Sequence, residues 1–138
     1  MAVKEFTDAT GRIRYAIVRT SGEVPWAAGK LQWLGPQQAG YDVLGGQPAG
    51  RTVALNLEPG GGRLFAFVER PLKRLRVSAT PARIEAGQPV RVAVEVLGAD
   101  GRPVPGCFPF ELRVLDGDGR EIEGLQRSFS AESGGAIP

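Results

Sequence analysis

The chain of 138 residues contains no histidine and one cysteine, Cys107. Without histidine, no Ser-His-Asp or Cys-His nucleophile system can be assembled from this chain alone. With one cysteine there is no intrachain disulfide, so cysteine usage leaves the redox compartment open. A zinc site is disfavoured, because one cysteine and carboxylates do not supply the usual ligands. No run of about 18 apolar residues is present, which excludes a membrane-spanning helix. The opening stretch, Met1 to Arg12, lacks the apolar centre of a signal peptide. Net charge is also small, at a formal +2 with no basic run or stripe, so the sequence gives little sign of a nucleic-acid partner.

Glycine and proline are abundant instead, at 20 and 11 residues, and they fall between apolar runs. That spacing suits many short strands joined by turns. The cleanest strand signal is Pro89–Leu97, where Val90, Val92, Val94 and Val96 alternate with Arg91, Ala93 and Glu95. A two-residue period sets the four valines on one face. A second alternation, Phe110, Leu112 and Val114, follows the turn-rich connector 98–106. Further strands are expected at Ala2–Phe6, Arg12–Thr20, Lys30–Leu34, Tyr41–Leu44, Arg51–Leu57 (Val53, Leu55 and Leu57 on one face), Arg63–Glu69, Leu72–Ala79 (Leu75, Val77 and Ala79 on one face) and Ala82–Glu85, with weaker ones at Glu121–Glu123 and Leu125–Ser130. Ser21–Gly29 reads as loop. Turns are expected at 8–11, at 58–62, at Ala86-Gly87 and at 116–119. No segment keeps a helical period over ten residues. The fold class expected is all-β: an antiparallel β-sandwich module, residues 1–70, followed by a partial sandwich, residues 71–138, with the boundary at Pro71.

Several patterns invite a chemical reading. Glu58-Pro59-Gly60-Gly61-Gly62-Arg63 is glycine-rich, but a phosphate-binding loop requires Gly-Lys-Ser/Thr and then a helix, and a strand follows here. Asp116, Asp118, Glu121 and Glu123 suggest a calcium loop, yet Arg120 and Glu121 occupy the positions that need an oxygen ligand and a glycine. Both are read as hairpin turns. A pair of catalytic carboxylates needs a defined separation across a cleft, which no sequence displays. Cys107, beside Phe108 and Phe110, reads as a small packed residue with no base to activate it. No catalytic residue, metal ligand or cofactor is therefore assigned. Trp26, Trp33 and Tyr41 lie close together and are candidates for stacking on sugar rings, although such residues also fill cores. In Arg63–Glu69 the apolar residues fall on both faces, so Phe65 and Phe67 are candidates for a contact with a neighbouring domain.

Two stretches carry a resemblance. Tyr41-Asp42-Val43-Leu44-Gly45-Gly46, followed by Leu55-Asn56-Leu57-Glu58-Pro59-Gly60-Gly61-Gly62-Arg63-Leu64-Phe65-Ala66, resembles the closing β-sandwich of bacterial glycoside-hydrolase-like proteins. The part from Leu72 onward, with Ile84-Glu85-Ala86-Gly87-Gln88 leading into the valine strand and then Asp100-Gly101-Arg102-Pro103-Val104-Pro105-Gly106, is similar to bacterial immunoglobulin-like repeats of the invasin or macroglobulin type. The resemblance implies an accessory module of a larger, extracytoplasmic bacterial protein and brings no catalytic residue. The antibody-type cysteine pair is absent. Two roles follow as expectations: a non-catalytic module that spaces or docks neighbouring domains of its parent protein, or carbohydrate recognition with a polysaccharide as partner. Four or five strands are legible from Leu72 onward, whereas an immunoglobulin-like sandwich takes about seven in ~100 residues. The expectation is a segment of a longer protein, its remaining strands beyond Pro138, with the valine face partly covered and edge strands unpaired.

Overall fold

The computed structural model describes residues 1–23, 25–85, 87–133 and 136–137. It is all-β, with no helix among these residues. The strands are β1 (Ala2–Thr7), β2 (Arg14–Arg19), β3 (Ala27–Gln32), β4 (Ala39–Asp42), β5 (Gln47–Pro48), β6 (Thr52–Leu57), β7 (Gly62–Val68), β8 (Leu72–Thr80), β9 (Arg91–Gly98), β10 (Cys107–Leu112), β11 (Arg127–Glu132) and β12 (Ala136–Ile137).

β1 and β2 form the expected hairpin around residues 8–11. Its turn closes through Gly11 N–H to the Asp8 carbonyl at 3.0 Å, and Gly11 takes φ +70°, a conformation that glycine adopts without a Cβ penalty. β2 pairs with β7, and β7 with β4, completing a five-stranded sheet in the order β1-β2-β7-β4-β5. Among the described residues, β3 pairs only with β6. The turn at 58–62 is therefore not a hairpin: it carries the chain from β6 in the small sheet to β7 in the large one. Thr20 holds it there, its hydroxyl donating to the Glu58 carbonyl at 2.7 Å.

A first core fills the space between these two sheets. Ala16, Val18, Phe65 and Phe67 face Val53, Leu55 and Leu57, and all are buried. β6 shows the alternation its sequence predicts, with every second residue buried. Gly40 lies over this core because nothing larger fits: an added Cβ would sit 2.1 Å from the Gly50 carbonyl oxygen and 2.8 Å from the Phe67 ring.

The opposite face of the large sheet meets the second half of the chain. Ile13, Ala39 and Val68 pack with Val96, Val104 and Phe108, flanked by Tyr15, Tyr41, Ala66, Leu72 and Phe110. Both halves thus contribute to one core. Polar links reinforce the joint. The Tyr41 hydroxyl accepts from Leu72 N–H at 2.7 Å, and the Asp8 carboxylate accepts from Cys107 N–H at 2.7 Å. At Gly106, φ is +144° and a Cβ would stand 2.6 Å from Ile13, so a glycine is required for the chain to pass this close.

In the second half β9 lies between β8 and β12, and β10 pairs with β11. Some boundaries differ from expectation. β3 begins at Ala27, inside the stretch read as loop, because pairing with Leu57, Asn56 and Leu55 recruits Ala27, Ala28 and Gly29. Residues 82–85 form no strand. β10 starts at Cys107, earlier than expected; β11 at Arg127–Glu132 is the expected Leu125–Ser130 strand shifted by two residues, and in place of a strand at Glu121–Glu123 there is an isolated bridge, Glu121 to Leu115. The tail contains a short strand, Ala136–Ile137, paired with Ala93 and Val92. Part of the loop 21–29 at residue 24, Ala86 of the Ala86-Gly87 turn, and residues 134, 135 and 138 of the tail lie outside the described residues.

Candidate functional site

The three aromatic candidates do not form a platform. Trp33 is 8% exposed and stacks on Phe67, with ring centroids 4.4 Å apart and planes 8° from parallel. Its indole N–H donates to the Gln37 side-chain carbonyl at 3.2 Å, so the polar edge of the ring is satisfied inside the core. Tyr41 is half-buried, and its hydroxyl is taken by Leu72 N–H. Trp26 alone is open, at 64% exposure. A sugar-stacking surface built from Trp26, Trp33 and Tyr41 is corrected on this ground: the β3–β6 ribbon lays Trp33 over Phe67, where burial of a large ring stabilises the fold.

Phe65 and Phe67 are fully buried, in the first core, among residues 16–67. β7 is two-sided, as its sequence requires, but its faces are allotted the other way round. The Phe65/Phe67 face is internal to the first sandwich, and the Ala66/Val68 face meets residues from the second half.

The acidic turn 116–119 is occupied by its own backbone. Asp116 Oδ1 accepts from Asp118 N–H at 2.9 Å and Arg120 N–H at 2.8 Å, an arrangement that fixes the turn. Asp8 acts similarly on a larger scale. Burial opposes its ionisation, but hydrogen bonds from the Thr10 hydroxyl and from Cys107 and Ile13 N–H outweigh that and hold its carboxyl below the usual value of 3.8. At Asp42, the Gly45 N–H and then the Arg63 guanidinium lower the carboxyl against some desolvation. Each of these carboxylates is committed to holding backbone.

The surface that stands out is β8. Its register with β9 sets Leu75 opposite Val96, Val77 opposite Val94 and Ala79 opposite Val92, so all six side chains share one face of the sheet. On β9, Val94 and Val96 are buried, at 5% and 4% exposure; on β8, Leu75 and Val77 remain 57% and 59% exposed. The β10–β11 ribbon explains the asymmetry. Phe108 and Phe110 close over Val96, then leave a mainly apolar groove lined by Leu72, Leu75, Val96, Phe108, Pro109 and Phe110, with Lys73 and Arg74 at its β8 side. Val90, expected to share the covered valine face, lies before β9 begins and is exposed. β8 is also an outer strand: among the described residues, no strand pairs with its far edge. Leu75, Val77 and Ala79 share one face as their alternation requires, but nothing local to the strand encodes that this face is left open beside a groove.

β8 is also one-signed. It carries Lys73, Arg74 and Arg76 and no acid. Arg76 pairs with Glu95 on the neighbouring strand, while Lys73 and Arg74 have no ion-pair partner among the described residues. A register shift between Leu72 and Arg74 places Lys73 at a bulge, a device that disrupts pairing at the start of an edge strand and leaves the rest of β8 regular. Comparison of the chain with protein-family models, with curated proteins and with solved structures returns no match.

Proposed function

We propose that this chain is a non-catalytic interaction module, a β-structure that docks a neighbouring polypeptide of a larger, extracytoplasmic bacterial protein. The observation that carries the docking reading is β8, an outer strand with exposed Leu75 and Val77 beside an apolar groove. Exposed apolar surface next to an unpaired strand edge is a liability that charges and bulges blunt and that another chain can cover; on β8 the bulge and Lys73 lie at the start, and Leu75 and Val77 beyond them stay open. The joint between the halves supports the same reading, since Asp8, Tyr41 and Gly106 brace β8 and β10 against the large sheet and give the groove a fixed wall. The bacterial and extracytoplasmic parts of the proposal rest on the resemblance of the chain from Leu72 onward to immunoglobulin-like repeats of the invasin or macroglobulin type.

Carbohydrate recognition, the alternative role, rests mainly on Trp26, since Trp33 is buried in the core and the half-buried Tyr41 has its hydroxyl taken by Leu72 N–H. The test is a paired screen of the whole chain, on a glycan array and against a displayed library of extended peptides. The docking reading predicts enriched peptides that slow amide exchange along β8. Glycan binding that is lost in Trp26→Ala, or a library that yields no peptide ligand, would overturn it.

A further inference from the structure

Resting on that docking reading, we infer that β8 receives one further extended strand in which apolar residues alternate with acidic ones. The geometry sets the alternation. Side chains of an added strand project to the two faces of the sheet in turn. On one face they meet Leu75, Val77 and the groove running to Phe108 and Phe110. On the other they meet Arg74 and Arg76, with Lys73 at the bulge. Opposite charges in neighbouring strands stabilise a sheet and like charges directly across destabilise it. Because Glu95 already engages Arg76, the uncompensated charge lies at Arg74 and Lys73, near the start of the strand. The acidic residues of the ligand are therefore needed most at that end.

The nine residues of β8 accommodate an extended segment about 30 Å long at ~3.3 Å per residue. A second copy of β8 fits this edge less well. Antiparallel pairing of two copies would bring both sets of Lys73, Arg74 and Arg76 along one ribbon, with no acid in either strand to offset them. A basic ligand strand fails for the same reason. An apolar strand without acids would fill the groove and leave Arg74 and Lys73 unmatched.

The test uses the whole chain and two capped nine-residue peptides, one alternating valine with glutamate and one alternating valine with lysine. Binding is read by fluorescence anisotropy, and its position by amide exchange. The glutamate peptide is expected to slow exchange within Leu75–Thr80 and to bind about tenfold or more tightly than the lysine peptide. Its affinity should fall as salt is raised. Val77→Lys should abolish binding, and Lys73→Glu combined with Arg74→Glu should reverse the preference. These positions are exposed, and unchanged circular dichroism of each variant verifies the fold. Equal binding of the two peptides, or a glutamate peptide that leaves β8 exchange untouched, would overturn the inference. So would sedimentation showing a dimer that Val77→Lys dissolves, which would make a second copy the occupant. If the displayed library yields β8 ligands without acidic residues, this inference falls and the docking reading stands; if it yields no ligand, both fall.

Discussion

Asp8 should be one of the costliest polar residues to replace, because one carboxylate serves two distant parts of the chain. Its Oδ1 accepts from Ile13 N–H at 2.8 Å, and its Oδ2 from Cys107 N–H at 2.7 Å and from the Thr10 hydroxyl. Hydrogen bonds to an ionised group contribute roughly 1.5–3 kcal/mol each when buried. Asp8 is only half-buried, and water replaces part of what is lost, so the three bonds do not add at full value. Asp8→Asn keeps one acceptor oxygen and turns an NH2 toward donors, for an expected loss of about 2 kcal/mol; Asp8→Ala should lose about 3 kcal/mol. The pH dependence has a definite sign. The folded-state pKa of Asp8 is lowered, so its contribution is complete above the unfolded value of about 3.8 and is lost as pH falls through the depressed folded value. Urea unfolding of wild type and Asp8→Asn should therefore differ by a constant amount from neutral pH down to about pH 5, with the gap closing below about pH 3.8. Equal urea midpoints at neutral pH, or a gap that widens on acidification, would refute the bracing role of Asp8.

The two tryptophans should behave oppositely. Iodide should quench Trp26 and spare Trp33, and Trp33→Ala should destabilise by roughly 3–5 kcal/mol while Trp26→Ala stays within about 0.5 kcal/mol; equal quenching of both would contradict the stacked position of Trp33 on Phe67. Gly40→Ala should destabilise by about 1–3 kcal/mol or more, because its Cβ meets the Gly50 backbone and not a yielding side chain; a thermal midpoint equal to wild type would show that the β4–β5 segment gives way freely.

The alternation of Val53, Leu55 and Leu57 announced β6, and the two-sided apolar pattern of Arg63–Glu69 announced a strand covered on both faces; both are seen. Which face of β7 meets which neighbour was not legible. Phe65/Phe67 and Ala66/Val68 are both apolar, and the choice depends on where β3–β6 and Phe108 arrive from elsewhere in the chain. The turn at 58–62 was recognisable from its glycines, but those residues serve a hairpin and a sheet-to-sheet crossing equally well. Ala27-Ala28-Gly29 offers no alternation at all, so the start of β3 emerges only from pairing with Leu55–Leu57. At the aromatics, sequence supplied proximity without orientation: Trp33 is drawn inward by Phe67 and Gln37, whereas Trp26, seven residues earlier, finds no such neighbours. At β8 the pattern Leu75, Val77, Ala79 marked a half-apolar strand correctly. Its exposure depends on how far the β10–β11 ribbon extends across the sheet, which local pattern does not encode.

The claim on which the rest depends is that β8 has an open outer edge. Residue-resolved amide exchange of the unliganded monomeric chain tests it directly. Amides of β8 that point toward β9 should be protected, and the alternate ones, which point away, should exchange almost as fast as unstructured backbone, while Val94 and Leu97 on β9 exchange slowly. Slow exchange at consecutive residues through Leu75–Thr80 would mean that the edge is already paired, and would contradict the docking reading.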